Sequence, residues 1–332
     1  MRLRVLGCFI AIVGTVCADR LPLVWPTPNR AFLEGKPYED YIQPTRSGRI
    51  ESGLYGCTRN GGHRFHEGID LKSIERDRAG RSMDPVFAAV PGRIAYVNRV
   101  AGNSSYGIYV VLEHEYEDVT FYTLYSHLRS VDPQIKTGLY IEQGAVVGVL
   151  GATAGGYTIP ESRAHLHFEL GLQLNSEFGW WYDQQGYGSK NHHGDWSGIN
   201  LVGWDPLKFY RLALRGQIDG PRDFLLRQPK ALTVRVDYPG VPDFIRRNQG
   251  LVTRTAGNKR RGWEIDFSPY GLPLRWREAP ESAFAEQTSK IAVVDYDPDL
   301  AFKLCRDLLD RRGGGAVPGK DLRRSLELLF GP

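Results

Sequence analysis

The chain has 332 residues, which at roughly 150 residues per domain suggests about two domains. With 42% hydrophobic and 24% charged residues the composition is that of an ordinary globular protein, and 38 Gly and 20 Pro scattered without a period exclude a disordered chain or a fibrous repeat. The net charge of +4 is uneven: residues 211–332 carry 22 basic and 16 acidic side chains, a mild excess too diluted with acids for a nucleic-acid arm and better read as a solvated face.

Residues 1–18 read as a signal peptide. Arg2 and Arg4 precede the apolar run Val5 to Val16, and Val16-Cys17-Ala18 has the small or compact residues of a cleavage site. The run is shorter than the ~20 apolar residues of a membrane span, and no second span follows. The expected product is an exported soluble protein starting near Asp19, in the periplasm, the cell envelope or outside the cell. Lipidation at Cys17 is disfavoured, because Val16 is larger than the residue usual before such a cysteine. Of the four cysteines, Cys57 and Cys305 remain after cleavage. They either pair, as an oxidising compartment permits, or stay free, and neither sits in a CxxC zinc pair.

Residues 19–52, with five prolines and no sustained period, read as an extended lead-in. Residues 53–210 read as short strands punctuated by glycine, with no helical period: 86–90 and 93–97 flanking the turn Pro91-Gly92, then 107–113, 120–128 and broken pieces over 136–154. This predicts a mainly β fold, a sandwich or barrel-like unit. Residues 211–332 read as a small α+β domain. Its expected strands are 231–236, 251–255 and 263–267, the last two joined by a turn. Asp297-Pro298 opens a helix carrying Leu300, Leu304 and Leu308, and a second helix spans 320–329.

Three segments carry candidate chemistry. In His66-Glu67-Gly68-Ile69-Asp70, an extended chain puts His66, Gly68 and Asp70 on one face, with the glycine leaving room for an ion. In His165-Leu166-His167-Phe168-Glu169 both histidines share a face while Leu166 and Phe168 turn to a core, and Tyr125 and His127 share a face of a third strand. Two neutral imidazoles and one carboxylate suit a catalytic zinc with an open position, and nearby histidines suit proton transfer to and from its water. His63 and His114 read as ordinary polar residues. His114-Glu115 does not open an HExxH motif, because Asp118 stands where the second His is required.

These segments resemble the signature of the lysostaphin-type (LytM-like) zinc metallopeptidases, a family of peptidoglycan endopeptidases. The glycine framework Gly138, Gly144, Gly148, Gly151 and Gly155 and the closing Asp205-Pro206-Leu207 match as well, so the resemblance covers roughly residues 55–210. It implies a compact β fold with a groove and hydrolysis of peptide bonds in cell-wall peptidoglycan, with one Zn2+ held by His66, Asp70 and His167. It implies that His127 and His165 are the catalytic histidines, one the general base, without saying which. Glu67 and Glu169 read as supporting or structural. Ser162-Arg163-Ala164 departs from the Gly-Pro usual before the HxH pair, and residues 171–203 form a longer segment than usual. Its Trp180, Trp181, Tyr182, Tyr187, His192, His193 and Trp196 are expected to wall the groove rather than pack on themselves. The alternatives are a non-catalytic peptidoglycan-binding or activator protein on the same scaffold, and a zinc peptidase acting on proteins. The expected partners are peptidoglycan peptides, with no nucleic acid; the oligomeric state is left open.

Overall fold

β-branched and aromatic runs between glycines make residues 56–204 fold into short strands. The computed structural model describes residues 20–254, 259–303 and 305–331; the expected signal peptide and its Cys17 lie outside them. The first eleven strands are β1 (Gly56–Arg59), β2 (Arg64–His66), β3 (Ile69–Lys72), β4 (Pro85–Phe87), β5 (Gly92–Asn98), β6 (Ile108–Tyr116), β7 (Val119–Val131), β8 (Tyr140–Ile141), β9 (Val146–Leu150), β10 (His165–Gln173) and β11 (Leu201–Trp204). Nine form one sheet of order β11-β10-β7-β6-β5-β8, with β3 also on β10 and β9 joining β7 to β4, while β1 and β2 pair separately. The sheet is sandwich-like and, among the described residues, does not close into a barrel. No helix among the described residues is long and apolar enough to cross a membrane.

Two details extend the strand reading. β4 and β5 flank Pro91 but do not pair, since β4 binds β9 and β5 binds β6 and β8. The acidic residues between the runs 107–113 and 120–128 end in the tip of the β6–β7 hairpin: Tyr116 pairs with Val119, and Glu117 and Asp118 take φ of 51° and 58°, as a two-residue primed turn requires.

The sheet is buried on both faces. Leu166, Phe168, Leu170 and Leu172 of β10 enter the main core with Ile69, Leu71 and Tyr125. On the opposite face a smaller cluster of Tyr109, Val111, Tyr122, Leu124 and Leu201 lies beneath Tyr106 and Trp196. The lead-in lies along this framework: Trp25 stacks on Phe32 at 4.6 Å, Val24 N–H donates to Ala89 O, and Gln43 N–H donates to Asp70 O at 2.8 Å.

The expected absence of helix over 53–210 is corrected by α1 (Phe178–Gln184) and α2 (Pro206–Leu214), the latter capped by Asp205, whose carboxylate accepts from Lys208 N–H. Beyond it lie α3 (Pro221–Leu226), β12 (Leu232–Val236), α4 (Asp243–Arg247), β13 (Val252–Thr253), β14 (Arg260–Phe267), β15 (Pro273–Pro280) and β16 (Ile291–Tyr296), in a second sheet of order β13-β15-β14-β12-β16. β13 and β14 are not neighbours, because β15 lies between them. The expected helix over Leu300 to Leu308 is only α5 (Pro298–Ala301), with Asp297 capping it. Phe302–Lys303 and Arg306–Asp307 then pair as short strands, and Cys305 between them is bonded to Cys57, Cα–Cα 5.5 Å. That tertiary tie overrides the local leucine spacing; Leu304 lies outside the described residues. The last helix, α6 (Lys320–Phe330), is as expected, and Asn175 donates to its Leu328 carbonyl.

Candidate metal centre

β3 and β7 flank β10, and their register brings the candidate residues together. His167 pairs with Asp70 on one side and with Ser126 on the other. His66 ends β2, so the His66–Asp70 segment is not one extended strand; it bends at Glu67-Gly68 from one sheet into the other. Gly68 does not make room for an ion. A Cβ there would meet Phe168 O at 2.2 Å, so glycine is needed for β10 to approach.

His66 Nε2, His167 Nδ1 and Asp70 Oδ1 form a nearly equilateral triangle with edges of 3.0, 3.1 and 3.1 Å. Ligands of one tetrahedral ion at about 2.0–2.2 Å stand about 3.3–3.6 Å apart, so the triangle needs to open by only a few tenths of an ångström to share one. All three residues are buried. Their outer partners fix which atoms face inward. His66 Nδ1–H donates to Leu54 O at 2.9 Å, leaving the Nε2 lone pair for the triangle. His167 Nε2 donates to Glu169 Oε1 at 2.7 Å, leaving Nδ1 inward. Glu169, fully buried, also accepts from Tyr106 and Tyr122 hydroxyls at 2.8 Å each.

His127 and His165 stand beside the triangle, their rings 4.9 Å apart. His165 Nε2 is 3.7 Å from Asp70 Oδ1, and the His127 ring is 5.9 Å from that of His167. Tyr125 and His127 do not share a face. Tyr125 lies in the main core against Phe168 at 5.4 Å, and His127 reaches the other side only because its φ is +60°. Such a left-handed, non-glycine conformation is held by its surroundings and is frequent at functional sites.

Electrostatics sharpen the roles. Burial pushes His66, His127 and His165 down, with the His165 and His167 rings reinforcing it at His127. His127 Nδ1–H donates to Thr153 O and His165 Nδ1–H to Arg163 O, both at 2.8 Å, so each neutral ring keeps a basic Nε2. Burial opposes charge on Asp70, but His66, Arg59 and His165 hold its carboxyl well below the usual range. Burial also opposes charge on His167, and its bonds to Asp70 and Glu169 override this, pushing it up to about 9.

Of these groups, His127 and His167 line an open cleft of about 670 Å³, whose other walls include Arg59, Arg64, Tyr106 and Tyr157. Residues 64–177 match the sequence profile of peptidase family M23. Over this stretch the chain is similar to M23 peptidases. No curated protein matches the chain. Solved structures similar to it include the catalytic domain of lysostaphin from Staphylococcus simulans, 24% identical, covering 48% of this chain and 87% of that one, TM-score 0.29. Another is the catalytic domain, in mutant form, of the prophage-encoded M23 protein EnpA from Enterococcus faecalis, 20% identical, covering 39% and 79%, TM-score 0.28. A third, provisionally named glycyl-glycine endopeptidase lytM, from Ruminococcus gnavus, is 18% identical and covers 59% and 62%, TM-score 0.35; this chain thus spans about three fifths of that protein.

Other candidates fall outside this cluster. His114 is buried, with Nδ1–H donating to Pro91 O and Nε2 accepting from Thr123; His63 is exposed. The long aromatic segment mostly packs on itself, correcting the expectation of a groove wall. Phe178, Trp181, Tyr182 and Tyr187 stack on one another and Trp196 packs on Tyr122, while His193 and residues 197–199 reach the cleft. Arg59, absent from the sequence reading, lies on the triangle itself, Nη2 2.6 Å from Asp70 Oδ2 and 2.7 Å from His66 Nε2. No spacing rule points to it, because its contact depends on the bend at Glu67-Gly68; Glu169 shows in the alternation of β10.

Proposed function

We propose that the protein is an exported zinc endopeptidase that hydrolyses peptide bonds of bacterial peptidoglycan. One observation carries this reading: the triangle of His66, Asp70 and His167, with His127 and His165 beside it, lies within the M23 match, and its His167 and the adjacent His127 line a cleft. Two imidazoles and one carboxylate, each aimed by an outer partner, are a donor set suited to one Zn2+. Bound zinc supplies Lewis acidity, which lowers the pKa of water and polarises a carbonyl.

The chain's own groups supply the rest. Neutral His127 and His165 each present an Nε2, so one takes a proton from the attacking water and returns it to the leaving amine. The other steadies negative charge developing on the substrate carbonyl oxygen. Tyr157, whose ring is 6.4 Å from that of His127, borders the path by which a peptide enters. The Cys57–Cys305 disulfide supports export to an oxidising compartment.

The test is digestion of isolated peptidoglycan by the purified chain, with and without a chelator, followed by mass analysis of the fragments. The proposal expects zinc-dependent new amino and carboxyl ends within the peptides. Intact peptides under zinc-replete conditions, or cleavage of glycan alone, contradict it.

A further inference from the structure

The two oxygens of Asp70 are treated differently. Oδ1 faces His66 Nε2 and His167 Nδ1 at 3.1 Å each. Oδ2 accepts from Arg59 Nη2 at 2.6 Å. The guanidinium is held from behind, with Nε donating to Ser52 O at 3.1 Å. Each candidate ligand therefore has a further partner: Leu54 O for His66, Glu169 for His167 and Arg59 for Asp70, the last also touching the inward-facing His66 Nε2. Two of these three supports trace to one short stretch, since the carbonyls of Ser52 and Leu54 belong to a single turn of chain entering β1.

We propose that Arg59 is a positioning residue that commits Asp70 to bind the metal through Oδ1 alone. This rests on the reading of His66, Asp70 and His167 as metal ligands. A carboxylate turns about its terminal bond and offers a metal either one oxygen or two. A charge-assisted bond to Oδ2 is of the strong kind, and the Asp70 side chain is only 3% exposed, so little solvent competes for that oxygen. Arg59 Nη2 also touches His66 Nε2 at 2.7 Å; when that lone pair goes to the metal, Oδ2 and Ser52 O remain as the guanidinium's partners. With Oδ2 so held, the coordination position left by two imidazoles and one oxygen stays open for water or substrate. Without Arg59, Oδ2 is free to bind beside that water as a further donor, raising the coordination number above four.

The experiment compares the full chain with its Arg59→Met and Arg59→Lys variants, each loaded with cobalt(II), whose visible absorption is strong in four-coordinate sites and weak in higher-coordinate ones. Met keeps much of the side-chain stem but has no donor, whereas Lys keeps a donor for Oδ2. Folding is checked by circular dichroism. The expected result is intense bands in the parent, a loss of band intensity in R59M and retention of the parent spectrum in R59K. A folded R59M with unchanged bands, or a folded R59K with weakened ones, overturns the role of Arg59; if R59M does not fold, R59K alone decides. Failure of the parent chain to bind cobalt or zinc removes the metal reading itself, a distinct outcome.

Discussion

The rings of His127 and His165 stand 4.9 Å apart, although strict alternation along β7 would send His127 to the far side of the sheet. Ser126 pairs with His167 and shares its face, so the next residue belongs to the opposite one unless the backbone turns over. The φ of +60° at His127 makes that turn. A side chain in this conformation costs about 1–2 kcal/mol that glycine avoids. His127→Gly should therefore be more stable than His127→Ala by about 1 kcal/mol in urea unfolding. Both variants should keep bound metal and lose peptide hydrolysis. The reverse stability order would show that the backbone at this position is unstrained.

Glu169 holds His167 by its Nε2 and is itself held by two tyrosines. Glu169→Gln should weaken zinc binding by about 10–100-fold, the usual consequence of disturbing an outer partner of a metal-binding imidazole. Competition with a chromogenic chelator measures it. Tyr122→Phe, which leaves the Glu169–His167 bond in place, should have a smaller effect.

His114 gives a pH dependence outside the His66–Asp70–His167 triangle. Burial lowers it to about 4 from an unfolded value of 6.5. Below 6.5 the unfolded chain takes up a proton that the folded chain does not take until about pH 4, so stability falls as pH drops through that window and levels off below it. The full contribution is about 3–4 kcal/mol, at roughly 1.4 kcal/mol per pKa unit. His114→Gln should flatten the slope of unfolding free energy between pH 6.5 and 4 by close to one proton. An unchanged slope would show that His114 ionises alike in both states.

Local pattern disclosed part of this architecture. In β10 the alternation of His165, His167 and Glu169 with Leu166 and Phe168 is a period-2 signal that the register preserves. The meeting of His66 and Asp70 followed from residue type, but the physical route differed: the chain bends between two sheets, and Gly68 serves the approach of β10. The placement of His127 depends on a single left-handed residue, which parity cannot reveal. Arg59 and the carbonyls of Ser52 and Leu54 act across the fold, where spacing carries no information. The misread helix after Asp297 has the same origin, a distant constraint on Cys305.

That constraint has a measurable weight. The Cys57–Cys305 bond spans 248 residues, and loop-closure entropy for so long a span amounts to about 5 kcal/mol as an upper estimate. Replacing both cysteines by serine should lower the midpoint of thermal unfolding, and reductant should lower the parent to a similar value without affecting the variant. Equal midpoints for oxidised parent and double variant would mean that the bond contributes nothing to stability.

The most direct examination of the metal centre is X-ray absorption at the zinc edge of the zinc-loaded chain. One zinc per chain, with two imidazole nitrogens and oxygen completing a four-coordinate shell, is the predicted result. A shell containing sulfur, a shell of three or more imidazoles, or no stoichiometric zinc would contradict the assignment of His66, Asp70 and His167.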